Sequence, residues 1–420
     1  MRKLLLLIVV IFAVFVPVAG QTIAITNGKV YPVSGPPISN GTVLIRDGMI
    51  VAVGTNVTVP DNATRIDATG KTVTPGLIHA TTELGLIEVD QVRSTNDVRA
   101  KGENNIAASF KVWDGLNPAS AIFAPTRNEG VTTAAILPQG GLISGQAALI
   151  DLITGNADQM IRRAPIAMVG QIDDPSAAGT NARGELIAKL HALFQDLKYY
   201  TTHEADYDRA ATRTLIARRD DLEALKPVLA GTMLLILDAN RVDEIDAAIN
   251  LARTFHLNVA ISGGAEAWLC ADRLAEAHIP VLVGAMNNLP GSFATLNQRQ
   301  ENAGLLRRAG VTVILVTNGD GGDSRFNARN IKYEAGNAVA YGMSHDDALR
   351  AITLAPAELF GVSKQIGSLE AGRVANIVVW SGDPFEFSTQ VEHVFIRGRE
   401  VKEPSRQDML TDRYKPRVQP

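Results

Sequence analysis

The chain has a single cysteine, Cys270, in 420 residues. That excludes an intrachain disulfide framework and a cysteine-rich zinc or iron–sulfur centre. Histidine is also scarce, at seven residues, too few to scatter freely and still furnish a His-built metal site. No excess of positive charge exists: the formal net charge is −4, so no basic field points to nucleic acid. Only 20% of residues are charged and 46% are hydrophobic, which excludes a largely disordered chain. Long apolar runs are missing apart from Leu4 to Val16, which is too short for a transmembrane helix of roughly 20 residues. That run follows Arg2 and Lys3 and precedes Pro17-Val18-Ala19-Gly20, the order of an export signal cleaved near residue 20. A periplasmic or secreted protein without a stable membrane span is therefore expected. Asn40, Asn56 and Asn62 each open an Asn-x-Thr triplet, a pattern that arises often by chance.

What is present divides into two styles. From Thr22 to Val53, short alternating runs are separated by Asn27-Gly28, Gly35-Pro36-Pro37, Asn40-Gly41 and Asp47-Gly48, which predicts hairpins. Residues 373–401 repeat that style, with strands at Ala375 to Trp380 and Val391 to Ile396. The two ends of the chain are thus expected to share one sheet domain, 21–72 with 364–403. Between them the short runs Val131 to Leu137, Thr232 to Leu237, Leu257 to Ile261, Ile279 to Val283 and Val311 to Val316 alternate with amphipathic stretches. Arg241 to Phe255 places Val242, Ile245, Ile249 and Ala252 on one helical face. This is an α/β protein with βαβ units over 73–363. An eight-unit barrel and a doubly wound open sheet both satisfy the periodicity. A polar helical stretch at about 171–226 reads as an insertion, its Arg218-Arg219-Asp220-Asp221 cluster as a solvated helix face. The charged, proline-containing tail, 404–420, is expected to wrap a neighbour or fray.

Several separated blocks carry a family likeness. Gly70 to Ile78, reading GKTVTPGLI, resembles the first barrel strand of the amidohydrolase superfamily, and its exported imidazolonepropionase-like members in particular. Asn327 to Asn330 with Glu334 to Ala340, Ala348 to Pro356 (ALRAITLAP), Ile366 to Ile377 (IGSLEAGRVANI) and Val379 to Pro384 follow in the family's order. The resemblance implies a (β/α)8 TIM barrel plus a composite β-sandwich. It also implies a hydrolase acting on carbon–nitrogen bonds of amides, cyclic amides or small peptides. A divalent metal such as zinc activates water in intact relatives.

The chain departs from that pattern at the chemistry. The His-x-His ligand pair of the family is replaced by Thr81 and Glu83, and His79 stands where relatives carry Asp. The fourth-strand lysine position falls near Val169. Asp238 and Asn240 occupy the fifth-strand histidine positions, Gly263 the sixth-strand one, and Asn318 the position of the essential Asp, with Asp320 nearby. No cofactor is expected. The remaining histidines, His191, His203, His256, His278, His345 and His393, fall away from strand ends. Glu83, Asp238, Asn240, Asn318 and Asp320 are expected to face the barrel mouth, with His79 and Thr81 beside them. They read first as satisfied polar strand ends, then as a binding site for a small molecule or hard cation. Third, Glu83 and Asp238 read as an acid/base pair, given separated pKa values. An active hydrolase with this altered site, a purely structural protein, a homo-oligomer and a heteromer with an intact amidohydrolase paralogue are the alternatives. Gly140 to Gln146 reads as a tight loop or, less simply, as an anion-binding turn.

Overall fold

The computed structural model describes residues 21–89, 91–286, 290–317, 327–401 and 403–415. The expected signal segment, and the candidate residues Asn318 and Asp320, lie outside them.

The N-terminal hairpins form as expected: β1 (Thr22–Val30), β2 (Ile38–Arg46) and β3 (Met49–Gly54) pair antiparallel, followed by β4 (Thr64–Asp67) and β5 (Thr72–Pro75). Eight strands then build the barrel: β6 (Leu77–Thr82), β7 (Val131–Ile136), β8 (Ile143–Asp151), β9 (Ile161–Gln171), β10 (Leu234–Ala239), β11 (Val259–Gly263), β12 (Val281–Val283) and β13 (Val313–Leu315). The chain closes with β14 (Ile377–Trp380), β15 (Val391–Ile396) and β16 (Arg399–Glu400). β14 pairs antiparallel with β5, so both chain ends join one continuous ladder, ordered β16-β15-β14-β5-β1-β2-β3 with β4 on β1. Ile25, Val43, Ile45, Val73, Ile377 and Phe395 form its buried core. At the junction Trp380 is fully buried and its indole N–H donates to Thr74 Oγ1 at 2.8 Å.

The barrel ladder runs in sequence order from β6 to β13. One buried cluster draws on every strand: Ile78, Ala135, Leu149, Ala167, Ile236, Ala260, Leu282 and Ile314. Three of the eight are alanines, and small interior side chains among larger ones let the strands close on a filled core.

The barrel differs from a pure βα repeat at its third strand. β8 runs antiparallel to both β7 and β9, so two tight connections replace two helical crossovers. Gly140 and Gly141 have φ of +81° and +77°, a left-handed turn that glycine adopts without a Cβ penalty. The tight-loop reading of these glycines therefore fits, but Ile143 to Gln146 are strand. The Leu142 and Ile143 N–H groups both donate to Asn105 O, so these two are not available to an anion.

Helices cover the barrel. The helix Val242–Phe255 forms where the spacing predicts and buries Ile245, Ala248 and Ile249. The polar stretch contains a long helix, Arg183–Thr202, that buries Leu186, Leu190, Leu193, Phe194, Leu197 and Tyr200 in the main core. Asp221 is not solvated as expected: it is 4% exposed and accepts the Ser109 N–H at 2.8 Å. The tail forms an exposed helix, Arg406–Tyr414, started by a reciprocal cap between Ser405 and Asp408. Among the described residues no helix is long and apolar enough to cross a membrane.

Candidate functional site

The mouth of the barrel holds a cavity of about 160 Å³. Its walls come from the C-terminal ends of the strands: Thr81 and Thr82 on β6 with Glu83 after it, Leu137 to Gln139 after β7, Val169 on β9, Asp238 on β10, Ser262 and Gly263 on β11, and Val316 and Thr317 after β13. Parallel strands place these positions at one level, which is why the ends of a barrel's strands build its site.

The structure brings Thr81, Glu83 and Asp238 together here, and places Val169 and Gly263 where the family likeness put metal-ligand positions. His79 and Asn240 do not line the cavity. His79 was expected on the same inward face as Thr81 and Glu83. Ile78 and Ala80 lie in the barrel-interior cluster, so alternation along β6 turns Thr82 inward and His79 to the other side; beyond His79 the β6–β7 register shifts, and Thr81 lines the cavity beside Thr82. His79 is fully buried. Its Nε2 lies 2.8 Å from Thr317 Oγ1 and 3.3 Å from Thr317 N, and its Nδ1 lies 3.3 Å from Thr81 N. Burial pushes the imidazole down to about 3, so the ring stays neutral near pH 7. Asn240 instead fastens a loop: its Nδ2 donates to Asp173 Oδ2 at 3.3 Å and its Oδ1 accepts the Ala265 N–H at 3.3 Å.

Asp238 is a strongly perturbed carboxylate. Burial raises it to about 7, the Asp173 charge adds to the rise, and the Ser262 hydroxyl partly offsets it. Ser262 sits directly across the parallel β10–β11 pair from Asp238. Asp173 is itself raised, first by burial and then by Glu244. Glu244 is 1% exposed, accepts the Asn240 and Arg241 N–H groups at 2.9 and 3.0 Å, and takes Arg183 Nε at 2.6 Å.

Asp173, Glu244, Ser262 and Thr317 were not among the sequence-derived site residues. Glu244 had a readable signal, an acidic residue three positions into a helix where it reaches back to the free N–H groups of the first turn. Asp173 and Ser262 had none, since their roles come from strands distant in sequence.

The donor set suits hydrogen bonding better than transition-metal ligation. The wall offers two carboxylates, four hydroxyls, one amide and aliphatic carbons, and the one imidazole nearby faces Thr317. Among the described residues no group of three His, Cys, Asp or Glu side chains is gathered to hold a metal ion. The other histidines have structural settings. His256 and His278 take left-handed φ after helices, His203 stacks on Tyr199, His191 packs on Phe255, His345 faces Asp383, and His393 bonds Glu400. Cys270 is buried, and burial pushes its thiol up, as for a core residue.

Similarity to known proteins agrees with this architecture. Residues 238–401 match the profile described as "Amidohydrolase family". Amidohydrolase tasK of Hapsidospora irregularis is 25% identical over 391 residues, covering 85% of this chain; the chain spans only 39% of that protein's length. An imidazolonepropionase of Legionella pneumophila (strain Paris) is 24% identical over 388 residues, covering 84% of this chain and 91% of the enzyme. The crystal structure of an amidohydrolase from Thermotoga maritima MSB8 superposes with a TM-score of 0.80 at 27% identity, covering 91% of this chain and all of that one.

Proposed function

The chain carries an amidohydrolase-family domain, and from that premise we propose that it is an exported member whose barrel mouth binds a small polar molecule in place of the family's hydrolytic metal. The carrying observation is the donor set around the mouth cavity. A hydrolytic divalent ion needs three or more nitrogen or oxygen ligands converging on one point, with an open position for water. Here Thr81, Val169 and Gly263 hold positions that the family likeness assigns to ligands, and His79 faces Thr317 rather than the cavity. These residues do not fit the family's metal.

They do fit a neutral or cationic ligand of a few heavy atoms. Asp238, titrating near 7, can donate a hydrogen bond when protonated and accept one when ionised. Ser262, Thr81 and Gln139 add groups that adapt to either polarity. The test pairs metal content with binding. Protein purified from its native compartment is expected to carry a divalent ion well below stoichiometry. Small amides and polyols are expected to bind, and Asp238→Asn to change the pH dependence of that binding. A stoichiometric ion that is lost in Glu83→Gln would overturn the reading.

A second reading, hydrolysis of a cyclic amide or similar C–N bond by Glu83 and Asp238, is favoured by the raised Asp238. A carboxyl group poised near pH 7 suits general acid/base work. Turnover undiminished in Glu83→Gln with Asp238→Asn would eliminate it. Association with an intact paralogue is proposed on the same altered donor set, and co-purification without any amidohydrolase-like chain would count against it.

A further inference from the structure

A second cavity, of about 570 Å³, lies at the opposite end of the barrel against the C-terminal sheet. The antiparallel course of β8 creates it. Asp151, the last residue of β8, pairs with Thr133 near the start of β7, so the following Leu152, Ile153 and Thr154 emerge at the face remote from the mouth. Ile396, Arg397, Arg399, Glu400, Val401 and Glu403 close the other side.

Arg127 lines this cavity and is only 6% exposed. A buried guanidinium normally takes charge-assisted bonds of about 2.7–2.9 Å on most of its five donors. Arg127 has longer ones: Nη1 to Thr154 Oγ1 at 3.3 Å and Nη2 to Glu403 Oε2 at 3.3 Å. Its Nε is enclosed without a hydrogen-bond partner. Burial lowers the Arg127 pKa, and only the Glu403 charge opposes that. Glu403 is a weak counter-ion, with its side chain 53% exposed, on the segment that leads to the exposed tail helix. Arg399 lines the same cavity and makes no ion pair among the described residues. The other charges nearby are already paired: Arg397 with buried Asp151, and Glu400 with His393. Leu152, Ile153, Ile396 and Val401 add apolar surface to the same wall.

We propose that this cavity binds an organic carboxylate with a short apolar body, gripped by Arg127 and Arg399, and that the chain's own Glu403 is a tethered competitor for Arg127. Without ligand the Glu403 carboxylate takes Arg127 Nη2 alone, and a stronger or better-placed carboxylate displaces it into solvent. The apolar body lies along Leu152 and Ile153. This site is remote from the barrel mouth and independent of what the mouth binds.

Calorimetric titration of the whole chain with hexanoate tests it, with hexanol as the uncharged analogue and inorganic phosphate as an anion without an apolar body. Saturable binding of hexanoate at one site is expected, with hexanol and phosphate weaker by roughly tenfold or more, the worth of one charged or one apolar anchor. Removing the tethered competitor in Glu403→Gln is expected to tighten hexanoate severalfold. Arg399→Gln, a change at an exposed side chain, is expected to weaken it by roughly tenfold. Arg127→Lys keeps the buried charge but loses the fork, and is expected to weaken binding while the protein stays folded by circular dichroism. The proposal is overturned if neither wild type nor Glu403→Gln binds hexanoate saturably, if hexanol or phosphate binds as tightly, or if Glu403→Gln leaves the affinity unchanged.

Discussion

His79 Nε2 lies 2.8 Å from Thr317 Oγ1, across the seam between the first barrel strand and the segment that follows the last. β6 and β13 end the eight-stranded ladder, and no ladder joins them among the described residues. The Ile78 N–H donates to Ile352 O instead of to β13. The imidazole therefore spans the one side of the barrel that lacks strand pairing. Replacing it leaves both a void and a buried hydroxyl without its partner. His79→Ala is expected to cost about 3 kcal/mol or more, read as the shift of a urea unfolding curve. A loss below about 1 kcal/mol would show that the seam does not depend on this contact.

The two perturbed groups near the mouth give opposing pH dependences. His79 falls from an ordinary 6.5 to about 3 on folding, so between those values the unfolded chain binds the extra proton. Stability from this group then drops as pH drops, by up to about 1.4 kcal/mol per unit. Asp238 rises from 3.8 to about 7, so the native state binds the extra proton and stability drops as pH rises through that window, with at most the same slope. From about pH 4 to 6.5 the two contributions oppose each other. His79→Leu is expected to expose the Asp238 slope, with stability falling as pH rises. Asp238→Asn is expected to expose the His79 slope, the reverse. Unfolding free energies at two pH values within that window decide it, and variants that share the wild-type slope would sink the assignment.

Above pH 8 the Asp238 carboxyl is ionised in a cavity that disfavours the charge, with Asp173 adding repulsion. Asp238→Asn keeps the shape and removes the charge. It is expected to stabilise the protein at pH 8 by about 1–3 kcal/mol and to leave it nearly unchanged at pH 4, where both side chains are neutral. Equal melting-temperature shifts at the two pH values would contradict this.

Much of the architecture was legible because its signals are local. The hairpins of β1 to β3 announce themselves through Asn-Gly and Asp-Gly turns, and the helix Val242–Phe255 through its apolar spacing. The direction of β8 was not legible. All nine of its residues are buried, and an apolar strand reads alike in either direction. Only the left-handed pair Gly140-Gly141 marks the reversal. At the mouth, the sequence order brought Thr81, Glu83 and Asp238 to one cavity. It could not reveal that the face of β6 carrying His79 would meet Thr317, or that burial and the Asp173 charge would raise Asp238. Both depend on partners far away in the chain.

Gly76 sits between the composite sheet and the barrel, where its N–H donates to Asn376 O. A Cβ there would fall on the Thr132 side chain, within 2.7 Å of the Thr132 Cβ, and Thr132 is fully buried on β7. Neither strand can retreat without disturbing its ladder. Gly76→Ala is expected to destabilise by about 3 kcal/mol or more. Thr132→Ala in the same chain is expected to recover part of that loss, so a double-mutant cycle gives a coupling of about 1–2 kcal/mol. Strict additivity would show that the damage arises elsewhere.

Asp151 ties the inverted strand to the C-terminal sheet. It is fully buried and accepts Arg162 Nε at 2.8 Å and Nη2 at 2.6 Å, Arg397 Nε at 2.6 Å, and the Thr133 hydroxyl at 3.0 Å. Arg162 comes from β9 and Arg397 from the turn between β15 and β16, so one carboxylate joins three neighbouring parts of the fold. Asp151→Asn nearly keeps the volume but leaves two guanidinium groups, one of them almost buried, facing an amide that can donate as well as accept. Removing one member of such a buried cluster costs about 3–5 kcal/mol, because the remaining charges lose their counter-ion without regaining water. Asp151→Asn is therefore expected to unfold at markedly lower urea concentration. Adding Arg397→Gln should recover part of the loss, since it removes one of the two stranded charges. If the double variant were instead as unstable as the sum of the single ones, the carboxylate would be acting through packing and not through charge.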